Sequence, residues 1–110
     1  MALETCTWCG AGVETEDGFR LYEPAGVRRA VFCRLEHVIP WGIQGEHWEP
    51  GDLDEPEPAD RGPFTCAHCG AALGEVRLVL VRHRGENRIA DDFCSVDHLL
   101  AWAKAGGRWQ

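Results

Sequence analysis

Long apolar runs are missing from this chain: the longest, Leu99–Ala103, falls far short of the roughly 20 residues that a membrane-spanning helix needs. Lysine is nearly absent, Lys104 standing beside ten arginines. There is no glycine-rich phosphate loop and no pair of carboxylates inside a segment that reads as folded. The commonest sequence grounds for a nucleotide-handling or acid–base enzyme are therefore lacking. Met1–Cys6 shows no basic segment leading into an apolar stretch, so the expectation is a cytoplasmic protein rather than a secreted one. In that compartment clustered cysteines more often bind metal than form disulfides. Three disulfides would also require an export signal.

What the 110 residues do contain is the composition of a folded protein, 45% hydrophobic and 26% charged, with five tryptophans. The net charge of −7 is unevenly spread. Glu46, Glu49, Asp52, Asp54, Glu55, Glu57 and Asp60 face only Arg61, and Pro50, Pro56, Pro58 and Pro63 lie among them. Such a stretch buries too little apolar surface to offset its ordering entropy. Residues 45–62 are expected to be a solvated acidic linker between a first unit, residues 1–44, and a second, residues 63–110.

The two units repeat one another. Thr5-Cys6-Thr7-Trp8-Cys9-Gly10-Ala11 returns as Thr65-Cys66-Ala67-His68-Cys69-Gly70-Ala71. Phe32-Cys33, followed by His37 and Trp41, returns as Phe93-Cys94, followed by His98 and Trp102. The offset slips by one residue between the two blocks. All six cysteines are used, three in each copy. In the second copy Val76–Val81 and Arg88–Phe93 read as strands around the turn Arg84–Asn87. Phe19–Tyr22 and Val27–Phe32 repeat that hairpin around Glu23–Gly26. After Phe93-Cys94, Ser95 and Asp97 suit a helix start, Leu99, Leu100, Trp102 and Ala103 supply its apolar contacts, and Gly106-Gly107 suits its end.

Zinc takes four tetrahedral ligands, with thiolate and imidazole favoured. A Cys-x2-Cys-Gly knuckle brings two thiolates from one tight turn, and Cys-x3-His brings two more donors to one helix face. The expected ligands are Cys6, Cys9, Cys33 and His37 for one zinc, and Cys66, Cys69, Cys94 and His98 for another. Four protein ligands fill the shell, which is the mark of structural rather than catalytic zinc. A lobe of about 40 residues has too little core to fold without such a staple. Pro40, lacking an N–H and set against the Glu36 carbonyl, leads to the expectation of a weaker first site.

A knuckle followed by Phe93-Cys94-Ser95 and Trp102, and less fully by Phe32-Cys33 and Trp41, resembles the treble-clef group of zinc fingers. TRASH and MYM-type fingers and the small gyrase-inhibitor proteins of the YacG type are the nearest in pattern. His37 and His98 stand where those families usually have cysteine. The resemblance implies a small metal-bound α+β fold: two tandem treble-clef-like fingers, each a knuckle, a β-hairpin and a short helix.

For function, the leading expectation is a non-enzymatic zinc-binding adaptor or regulator that contacts a protein partner, the acidic segment suiting a basic protein surface. Arg77, Arg82, Arg84 and Arg88 on the second hairpin, with Arg28, Arg29 and Arg34, open the alternative of nucleic-acid binding. Glu36-His37-Val38-Ile39-Pro40 resembles the signature of HNH-type nucleases, but the downstream Asn and His of that family have no counterpart here.

Overall fold

The computed structural model describes residues 4–51, 64–74 and 76–106. Along them run strands β1 (Glu4–Thr5), β2 (Gly12–Val13), β3 (Phe19–Glu23) and β4 (Arg28–Phe32), then helix α1 (Val38–Ile43). Strands β5 (Glu49–Pro50), β6 (Phe64–Thr65), β7 (Ala72–Leu73), β8 (Leu78–Arg84) and β9 (Asn87–Phe93) follow, and helix α2 (Val96–Lys104) closes the order. The result is a small α+β protein.

Each knuckle is a tight turn bracketed by a minimal antiparallel pair, β1 with β2 and β6 with β7. The N–H of Gly10 reaches the Cys6 carbonyl at 3.0 Å, and that of Gly70 the Cys66 carbonyl at 2.8 Å. Both glycines sit at φ near +78°, as +79° and +77°, a conformation that a Cβ would penalise. The Gly in each motif is thus a backbone requirement.

The two hairpins do not stand apart. They join edge to edge in one antiparallel sheet of order β5-β4-β3-β8-β9. Phe19 faces Phe32 in the first hairpin and Leu78 faces Phe93 in the second, so Leu21 and Leu80 are equivalent positions. Between the hairpins Leu21 faces Leu80 directly, with Arg20 opposite Val81 and Tyr22 opposite Val79. Equivalent strands therefore meet in antiparallel register about a central leucine pair. The copies are related by a pseudo-two-fold axis through that pair, the geometry of an isologous dimer within one chain. The one-residue slip is also explained: the second hairpin is two residues longer, and its approach from the knuckle one residue shorter.

Alternation along the strands sends Leu21, Ala30, Phe32, Leu78, Leu80 and Phe93 to one face, where they meet Leu35, Val38, Trp41, Leu99, Trp102 and Ala103 in one shared core. A smaller cluster of Cys6, Val13 and Val31 lies beneath the first knuckle. Helices α1 and α2 approach so closely that a Cβ on Gly42 would lie 2.7 Å from Leu100 Cδ2. Gly42→Val is expected to lower stability by about 1–3 kcal/mol, the usual cost of overpacking. Adding Leu100→Ala should recover part of the loss in a urea-unfolding double-mutant cycle; additive losses would show that the two residues do not meet.

Two details depart from the sequence reading. Cys33 and Cys94 precede their helices rather than sharing a face with the histidine. Cys33 lies in a bend after β4, Leu35–His37 form a single 3-10 turn, and α1 starts beyond it. Pro40 is consequently the third residue of α1, where an N–H has no intrahelical partner to lose, and the Val38 N–H points at the Leu35 and Glu36 carbonyls. The argument for a weaker first site from Pro40 does not hold. The expected linker also starts with structure: Trp48 packs on Trp41, and Glu49–Pro50 pair with Arg28–Arg29. Its residues 52–62 lie outside the described part, as do Gly107 and Trp109 at the other end of the second unit.

Candidate metal centres

The fold brings the eight sequence-predicted ligands together in two groups of four. In each group one ligand atom per residue lies within 4.8 Å of all the others: Cys6, Cys9, Cys33 and His37 in one, Cys66, Cys69, Cys94 and His98 in the other. The first cysteine of each knuckle is buried and the second exposed, while the third cysteine and the histidine are half-buried. All six cysteines are free thiols.

Each position has a local cause. The knuckle turn sets its two sulfurs side by side, and the Cys9 N–H reaches Cys6 Sγ at 3.5 Å. Phe32 and Phe93, fully buried at the ends of β4 and β9, fix where Cys33 and Cys94 emerge. His98 sits in the first turn of α2, its N–H donating to the capping Ser95 hydroxyl at 3.3 Å. Trp41 and Trp102, one turn beyond the histidines, pack edge-on against Phe32 and Phe93 with centroids 5.3 and 5.1 Å apart. Those contacts anchor each histidine-bearing turn to its hairpin.

The spacings fit a tetrahedral ion. Zinc bonds of about 2.3 Å to sulfur and 2.0 Å to nitrogen imply tetrahedron edges of about 3.8 Å between sulfurs and 3.5 Å between sulfur and nitrogen. Cys9 and Cys33 sulfurs are 3.6 Å apart, with His37 Nδ1 at 3.7 Å from Cys6 Sγ and 3.3 Å from Cys33 Sγ. In the second group Cys69 and Cys94 are 3.8 Å apart and His98 Nδ1 is 3.8 Å from Cys66 Sγ. The 2.7 Å between Cys94 Sγ and His98 Nδ1 is tighter than a tetrahedral edge and would have to open. Each zinc-finger-like cluster can hold one zinc ion.

The first and third cysteines of each group are shifted in opposite directions. Burial pushes the Cys6 thiol up, but the Cys9 N–H, the His37 ring and the Cys33 and Trp8 N–H groups outweigh it and bring it down to about 6. Cys66 is likewise lowered to about 6, its burial outweighed by the N–H groups of Cys69, Cys94 and His68 and by His98. Cys33 and Cys94 go the other way, to about 11, through burial first and then through the crowding sulfurs of their own knuckles. A divalent cation reverses that crowding, because a ligating thiol is deprotonated outright.

Buried ion pairs, absent from the expectations above, brace both clusters. Arg20, 2% exposed, donates to Glu4 in β1, to the Asp17 carbonyl at 2.6 Å and to the Glu14 carbonyl at 3.0 Å. Arg29 also reaches Glu4. Arg77 is buried against Asp92 and lies over the Phe64 ring. These arginines tie the knuckle strands to the hairpins. A usable signal was an arginine opening a strand-like run directly after a knuckle.

Among the described residues no helix is long and apolar enough to cross a membrane. Neither a protein-family model, nor a curated protein, nor a solved structure matches the chain.

Proposed function

We propose that the chain carries two structural zinc ions in a pair of treble-clef-like fingers and acts, without catalysis, as an adaptor or regulator that contacts a protein partner in the cytoplasm. One observation carries this reading: four protein donors converge in each cluster, which leaves an ion no position for substrate or water. Bound zinc would hold knuckle, hairpin and helix together. Three thiolates and a neutral imidazole around it give each site a net charge of −1.

Each alternative loses a residue to a contact within the protein. Arg77 is paired with Asp92 inside the protein, which withdraws it from any phosphate-binding face. His37 points its Nδ1 at Cys33 and Cys6, which leaves the HNH-like segment without its histidine.

Purified protein is expected to contain two zinc ions per chain by elemental analysis, with six thiols that stay unreactive until a chelator is added. Fewer than one zinc per chain, or disulfides in the intact mass, contradicts the metal assignment. Affinity capture from the native host tests the adaptor role separately. Recovery of nucleic acid instead of protein, in a salt-sensitive complex, contradicts that role and leaves the zinc sites standing.

A further inference from the structure

The two copies differ in what lies along the outer edge of their hairpins. On the first, the chain turns back after α1 and adds β5 to β4, and the Gly51 N–H reaches the Val27 carbonyl at 2.9 Å. Trp48 stands edge-on to Trp41 at 5.0 Å, under the Arg28 guanidinium, and Trp41 Nε1 donates to the His47 carbonyl at 3.0 Å. On the second copy the corresponding place is a groove of about 610 Å³, lined by Ala67, Ile89, Ala90, Trp102 and Ala105 among others. Ile89 and Ala90 stand where the first copy has Arg28 and Arg29, and Trp102 where it has Trp41.

The groove has an edge for a strand to join. The Asp92 carbonyl accepts the Ala67 N–H at 2.7 Å on the outer side of β9. Two residues earlier, Ala90 turns its N–H and C=O to the same side. On that edge β9 bridges to the second knuckle at Cys66 and Asp92. The sequence beyond supplies a candidate occupant. Trp109 follows Trp102 by the seven residues that separate Trp48 from Trp41. In the first copy the chain leaves α1 through two left-handed residues, Gly45 at φ +115° and Glu46 at +53°. The second copy has Gly106, at φ +93°, and then Gly107 at the matching positions, the residue that such a turn favours.

We propose that the groove beside β9 is a docking site for this chain's own residues 108–110, a short extended segment that seats the Trp109 indole against Trp102 and pairs with Ala90. Ile89 in place of Arg28 offers an aromatic ring an apolar side chain, and His68 and Asp91 line the groove beside it. Such pairing would cover an edge that otherwise invites association with other chains.

Amide exchange in the zinc-loaded full chain tests this, with Arg29 as the internal reference. The Ala90 N–H should exchange at least about tenfold more slowly in the wild type than in Trp109→Ala, with Trp109→Phe between them. A peptide of sequence Gly-Gly-Arg-Trp-Gln should restore protection to Trp109→Ala. Equal exchange in all three proteins overturns the proposal. So does protection in the wild type that fades on dilution, which would mean that a second copy fills the groove.

Discussion

Stripping zinc from one cluster should unfold the whole protein, not one half of it. A structural zinc contributes roughly 10–16 kcal/mol of apparent binding free energy at neutral pH, while an entire domain of this size is stable by about 5–15 kcal/mol. Loss of either ion is therefore comparable to the whole margin. The sheet then transmits the loss, because β3 of the first copy pairs along its length with β8 of the second. Both helices also cover one core. In a chelator titration, zinc release and the loss of far-ultraviolet strand signal should follow one transition. Cys9→Ser and Cys69→Ser, each disabling one cluster, should both lose most of the folded signal. Two separate phases, or a folded metal-free protein, would show that the shared sheet does not couple the sites or that metal is not what holds them.

Trp41→Ala carries the next largest expected effect. Its side chain is 1% exposed, sits between Phe32 and Trp48, and donates its N–H to the His47 carbonyl. Removing a buried tryptophan typically costs about 3–5 kcal/mol through lost transfer energy and the cavity left behind. The urea midpoint of zinc-loaded protein should fall accordingly with its slope unchanged. Trp41→Phe keeps most of the ring but loses the hydrogen bond, so it should cost less. An alanine variant within about 0.5 kcal/mol of wild type, the range of surface changes, would place Trp41 outside the core.

The parts of the fold that were legible in the sequence are those set by near neighbours. Cys6-x2-Cys9-Gly10 specifies its turn, and Gly85–Glu86 at the tip of β8 and β9 obeys ordinary hairpin chemistry. Ser95 caps α2 as its hydroxyl suggests. The convergence of the Cys and His side chains into two groups was legible for the same reason, because duplicated spacings mark one geometry twice. What stayed hidden depends on partners distant in the chain. That β3 and β8 would pair has no local signal, since Leu21 and Leu80 suit the middle of any buried strand. The return of Trp48 onto Trp41 was obscured by the acids and prolines around it, which made the whole segment read as solvated. Pro40 reads as disruptive only for a helix that begins at the cysteine, whereas the 3-10 turn at Leu35–His37 moves the proline into the first turn.

The leucine pair at the centre of the sheet also bears on how such a chain can change over time. In a dimer of identical subunits every substitution arrives twice, once on each side of the axis, so an edge cannot become basic on one side alone. Joining the copies in one polypeptide removes that constraint while keeping the contact. Here Arg28 and Arg29 on one outer strand answer to Ile89 and Ala90 on the other, Thr7 to Ala67, and Pro40 to Ala101. The Cys and His residues of the two clusters and the central pair Leu21 and Leu80 remain matched, whereas Arg20 and Tyr22 beside the axis already answer to Val79 and Val81. Two copies in one polypeptide thus make a scaffold with two different sides.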